Sequence, residues 1–181
     1  MKIINNKQKS LQELIRISQR TTSGDNKKIN SIVEDILQEV KIHGDKAVEK
    51  YTKKFDGFYP KPMQVSTGDL KTAWDETDQH LKKSLEIAYQ RIKKFHEKEI
   101  PESFTLKGEH GDSVQRRWMP VKNAGLYIPG GRAAYPSTVL MNAIPAKVAG
   151  VKEISMVSPG NKIGIINKTV LAAAYLSGID K

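Results

Sequence analysis

The residues best placed to meet a ligand are Pro129-Gly130-Gly131-Arg132, set between the apolar run Leu126-Tyr127-Ile128 and a small-residue loop that leads to Ser137 and Thr138. Two successive glycines let backbone N–H groups approach an anion closely, and Arg132 adds a positive charge. A turn between a strand and a helix is also where parallel sheets bind their ligands. The run is neither G-x-G-x-x-G nor G-x-x-x-x-G-K-[ST]: the loop before Ser137 is too long for the first and has no lysine for the second. Contact with a phosphate or dinucleotide and a plain turn both stay open. Tyr127, at the C-terminal end of its run, either offers a ring and a hydroxyl to a ligand or fills a core.

Other chemistry is sparse. His43, His80, His96 and His110 are 37, 16 and 14 residues apart, so no pair has the i, i+4 spacing of a helical zinc site. There is no G-x-S-x-G elbow and no base–nucleophile pair. Cysteine is absent, which excludes disulfides and thiolate chemistry and fits a reducing, cytoplasmic setting. No catalytic residue and no metal ligand is assigned. The first ten residues are polar and lack the apolar core of a signal peptide. No apolar run approaches the ~18 residues that span a bilayer. A net charge of +10 raises nucleic acid as a partner, but the excess is dispersed. Residues 1–120 carry 23 Lys+Arg against 18 Asp+Glu, and residues 121–181 carry seven against two, +5 in each part. Dispersed charge reads as solvated surface. The competing class is a basic helical binding module for RNA or an acidic partner, without catalysis.

Elements that would position the turn follow from hydrophobic periodicity. Residues 1–100 read as mainly helical. Ser10 can cap a helix carrying Leu11, Leu14 and Ile15. Asn30 or Ser31 opens a second, with Ile32, Val33, Ile36, Leu37 and Val40 at helical spacing and His43-Gly44 as its stop. A third runs from Asp45 to Phe55-Asp56-Gly57. Met63 to Val65 reads as a short strand. Asp78 to Lys98 is the clearest helix, its stripe of Leu81, Leu85, Ala88, Ile92 and Phe95 backed by an outer face of lysines. Residues 101–123 read as a hairpin and linker, with Phe104–Leu106 and Val114–Trp118 as its strands.

From Ala124 the texture becomes strand, helix, strand, helix. Ser137 or Thr138 caps a helix through Val139, Leu140, Ala143, Ile144 and Val148, with Pro145 inside it. Ile154 to Val157 is the next strand, and Asn167 or Lys168 starts a last helix that stops at Gly178. This is the βαβα order of a parallel sheet. Ala149-Gly150-Val151-Lys152-Glu153 is echoed by Ser177-Gly178-Ile179-Asp180-Lys181. After the first copy the chain continues into a strand; after the second it stops. The expectation is a chain cut within its sheet domain.

The block GLYIPGGRAAYPSTVLMNAIPAKVAG at 125–150 strongly resembles histidinol dehydrogenases, as do GDKAVEKYT at 44–52, FDG at 55–57 and LAAAYLSG at 171–178. The resemblance covers nearly the whole chain. It implies an α/β fold: a helical N-terminal region, then the start of an incomplete Rossmann-like parallel-sheet domain over 124–181. It implies an enzyme that oxidises L-histidinol through the aldehyde to L-histidine with NAD and zinc, as an intertwined homodimer. Tyr127 matches the family's NAD-contacting tyrosine, with Pro129 and Gly130 shaping the same surface. The family's zinc ligands and catalytic Glu-His pair have no counterpart here, so the expectation is an N-terminal portion that is inactive alone.

Overall fold

The computed structural model describes residues 7–19, 25–130, 133–161 and 163–181. The chain forms two compact units, Met1–Phe55 and Asp56–Lys181.

The first unit holds α1 (Lys7–Gln19), α2 (Asp25–His43) and most of α3 (Asp45–Asp56). Two helix starts differ from the sequence reading. Ser10 lies inside α1 and does not cap it, and α2 already runs from Asp25, ahead of Asn30. Ends are better marked than starts: Gly44 and Gly57 both take positive φ (54° and 73°), the left-handed conformation that glycine adopts without a Cβ clash. Leu11, Leu14, Ile32, Val33 and Leu37 stay exposed, and Ala47 is the buried apolar residue of this unit among those described.

The second unit carries the core. Its elements are α4 (Thr67–Asp75), α5 (Gln79–His96), β1 (Phe104–Lys107), β2 (Ser113–Arg116), β3 (Asn123–Tyr127), α6 (Pro136–Val148), β4 (Glu153–Val157) and α7 (Lys168–Leu176). Helix α4 is absent from the periodicity reading, and the strand expected at Met63–Val65 does not form. A capping box sets the start of α4. Ser66 Oγ accepts from the Asp69 N–H at 3.0 Å, and Asp69 Oδ2 accepts in return from the Ser66 N–H. Leu70 and Ala73 are buried on the face so presented.

Helix α5 forms where the stripe predicts it, with Asp78 as its N-cap, and Leu85 reaches the core, but Phe95 at the end of the stripe is exposed. Residues 104–116 form the antiparallel hairpin, with Leu106 opposite Val114; Trp118 falls outside it. Helix α6 starts at Pro136 with Tyr135 as its N-cap residue, so neither Ser137 nor Thr138 caps it. Proline suits that first position, because its missing N–H would have had no partner there.

Strands β3 and β4 pair in parallel, Asn123 opposite Glu153 through Tyr127 opposite Val157. Ile128, Ile154, Val139, Leu140 and Ile144 are fully buried between this pair and α6, with Val170, Ala173 and Ala174 of α7 in the same cluster. The partial α/β domain is therefore real. A third segment also joins the sheet, after the second copy of the repeat. Lys181 N–H donates to the Ile154 carbonyl at 3.3 Å, and the Lys181 carbonyl accepts from Met156 N–H at 2.7 Å. That is the bond pattern of a parallel pair centred on Ser155. Among the described residues no helix is long and apolar enough to cross a membrane.

Candidate functional site

The parallel register brings the C-terminal ends of β3 and β4 to one edge. Beyond it, Ile128 N–H donates to the Val157 carbonyl at 2.9 Å, so the ladder continues one residue past β3. Ile128 is completely buried and anchors the turn that follows. Residues alternate along a strand, so burying Leu126 and Ile128 on one face sends Tyr127 to the other. Tyr127 is 68 % exposed, and Val157, its partner in register, is 63 % exposed beside it. The helices α6 and α7 belong to the opposite, buried face.

A cleft of about 350 Å³ opens at this edge. Gly130, Ala133 and Ala134 form one wall, Ser158, Pro159 and Asn161 another, and Ile165 to Lys168 the base of α7. Gly130 is required here by space: a Cβ on it would lie 2.7 Å from the Pro159 carbonyl oxygen and 3.2 Å from Ser158 Oγ. The loop after β4 is held by Asn161, whose Oδ1 accepts from the N–H groups of Ile163 and Ile165, both at 3.0 Å. Gly164, at φ 78°, lies against the Phe58 ring. Asn167, one of the two starts the sequence offers, caps α7 by accepting from Thr169 N–H at 2.9 Å. Lys168 pairs with Glu76, the C-cap residue of α4.

Of the three sequence candidates, Gly130 lines the cleft. Tyr127 and the exposed Pro129 are not among its lining residues; they flank it on the sheet end. Gly131 and Arg132 lie outside the described residues. The 158–168 wall was missed, although Pro159-Gly160-Asn161 is a turn signal in the sequence. The cleft offers small and apolar surfaces with a few polar groups, most of them already bonded within the chain, which suits binding and orientation more than proton transfer.

Catalytic and metal-binding groups do not gather here. No group of three or more His, Cys, Asp or Glu side chains converges among the described residues. His96 pairs with Glu99, and His43 lies 3.9 Å from Glu39, both within helical neighbourhoods. Among the described residues, the acidic group with a displaced pKa is away from the cleft: Asp180 is held below the ordinary carboxylate value, first by the hydrogen bond from Lys147 and then by the Ile154 N–H.

Comparison with known proteins agrees with the geometry. A family model described as histidinol dehydrogenase matches residues 19–181. A histidinol dehydrogenase of Prochlorococcus marinus subsp. pastoris is 91 % identical over all 181 residues, and that of a second Prochlorococcus marinus strain is 77 % identical. The chain spans 42 % and 41 % of those relatives' lengths. Among solved structures, the histidinol dehydrogenase of Elizabethkingia anophelis superposes with a TM-score of 0.78 at 35 % identity, covering 84 % of this chain and 35 % of that one.

Proposed function

Since the chain belongs to the histidinol dehydrogenase family, we propose that it forms the N-terminal part of an enzyme that oxidises L-histidinol through the aldehyde to L-histidine. NAD would supply the hydride acceptor in both oxidations. The observation that carries this reading is the shared C-terminal edge of β3 and β4, with a cleft on it and Tyr127 exposed at its lip. That edge is where open parallel sheets hold nucleotide ligands.

These residues fit the cofactor. Tyr127 presents an aromatic face and a hydroxyl free of the core, and Gly130 lets the turn after β3 close on the loop after β4, leaving a wall of small residues. Pro129 fixes the backbone between them. Their task is to bind and orient. Zinc is different: the described residues hold no converging donor set, so they do not fit the ion. The metal ligands, like the base that takes the alcohol proton, belong to the part of the family's length that this chain does not span. A homodimer completes the proposal.

The test is NADH formation by the purified 181-residue chain with histidinol, NAD and zinc, alone and after addition of the remaining C-terminal part of the close relative. Silence alone and turnover on addition support the proposal. Turnover by the chain alone would show that its own residues catalyse. No turnover under either condition, with both parts folded, would count against it.

A further inference from the structure

The two copies of the sequence repeat turn into the sheet in the same way. Gly150 and Gly178 both take positive φ, at 89° and 67°. Val151 N–H donates to the Ala146 carbonyl at 3.0 Å, and Ile179 N–H to the Ala174 carbonyl at 3.1 Å. Lys152 N–H then reaches the carbonyl of Lys122, the residue before β3, and Asp180 N–H the Ile154 carbonyl on β4. The backbone path is thus repeated, residue for residue.

Only the glycine is identical in the two copies, and one of the differing positions changes the bonding. Where the first copy has Lys152, the second has Asp180. Its Oδ2 accepts from Ile154 N–H at 2.8 Å and from Lys147 Nζ at 2.9 Å. In a regular parallel ladder the Ile154 N–H would be given to the backbone carbonyl two residues before Lys181, just as Met156 gives its own to Lys181. A carboxylate stands in for that carbonyl. Its second bond ties the same oxygen to the end of α6.

We propose that Asp180 is a register lock: its carboxylate clamps α6, β4 and the segment Ile179–Lys181 together so that Lys181 pairs opposite Ser155. A slip by one residue would invert every following side chain across the sheet, and a slip by two would remove the carboxylate from both donors. The lock is independent of any ligand at the other end of the strands.

Amide hydrogen exchange on this chain tests it. The Met156 N–H, bonded to the Lys181 carbonyl, reports the register; the Ser177 N–H, bonded within α7 to Ala173, reports the fold as a whole. Asp180→Ala is expected to speed exchange at Met156 about tenfold, as loss of a charge-assisted bond implies, and to leave Ser177 unchanged. Asp180→Asn keeps an oxygen for Ile154 and should fall between. Unchanged Met156 protection in a folded Asp180→Ala chain overturns the lock, and so does equal acceleration at both amides. Should that variant not fold, Asp180→Asn and Lys147→Ala decide: faster exchange confined to Met156 supports the lock, and protection like that of the wild type in both overturns it.

Discussion

Gly130 and Pro159 sit so close that any side chain on the glycine would drive its Cβ to 2.7 Å from the proline carbonyl oxygen. The obstacle is backbone, so it cannot swing aside as the tip of a lysine would. Gly130→Ala is expected to destabilise the chain by about 1–3 kcal/mol, the usual range for overpacking. A urea melt measures it. A midpoint equal to that of the wild type would mean that the two loops separate freely.

Tyr127 gives the opposite expectation. Its ring is mostly in water, so Tyr127→Ala should change stability by no more than about 0.5 kcal/mol. In the full-length relative the same substitution should raise KM for NAD severalfold. Unchanged stability together with an unchanged KM would remove Tyr127 from the cofactor site.

Ser66→Ala removes half of the capping box that starts α4. The expected loss is about 0.5–2 kcal/mol. Because Leu70 and Ala73 pack into the core that also holds Ile128 and Val170, the loss should appear in the melt of the whole second unit. Circular dichroism showing a separate early transition would argue that α4 frays independently.

The Asp180 carboxylate should also be visible in acid. Its folded pKa is depressed, first by the hydrogen bond from Lys147 and then by the Ile154 N–H, with Lys181, itself paired with Glu153, as the other charge acting on it. A depressed carboxylate adds stability above its unfolded pKa, and that stability is lost as pH falls through the folded value. The difference in urea midpoint between wild type and Asp180→Asn should therefore be present at pH 7 and close below about pH 4. Both partners are part exposed, so the gap is small. A gap that persists undiminished at pH 2 would assign the effect to packing.

Sequence periodicity located the elements that bury a wide apolar stripe. Helix α5, the parallel strands and α7 announce themselves through Leu85, Ile154, and Val170 with Ala174, and of the two starts open for α7, Asn167 or Lys168, the structure takes Asn167 as the cap. Starts without a side-chain cap were not readable: α6 begins on Tyr135-Pro136, and the caps expected of Ser137 and Thr138 are unused. Helix α4 was hidden because its apolar content is only a few residues, although Ser66 and Asp69 spell its capping box. At the site, Tyr127, Pro129 and Gly130 could be named from motif and resemblance, and the resemblance also implies a Tyr127 ring partly exposed at the mouth of the sheet, where it lies. The wall formed by Asn161 and Ile165 escaped notice because its shape comes from side-chain-to-backbone bonds inside a loop, which leave no periodic trace.

The twofold turn at Gly150 and Gly178 also bears on synthesis. Glu153 finds its partner Asn123 thirty residues back, and Lys181 finds Ser155 twenty-six residues back. Each new strand meets one that has already left the ribosome, and each closes a short loop through a single helix. Sheet growth of this kind keeps the contacts local for a parallel topology and proceeds from the N-terminus, the direction in which domains fold as they are made. The nascent chain can therefore add one strand–helix module at a time without waiting for distant sequence.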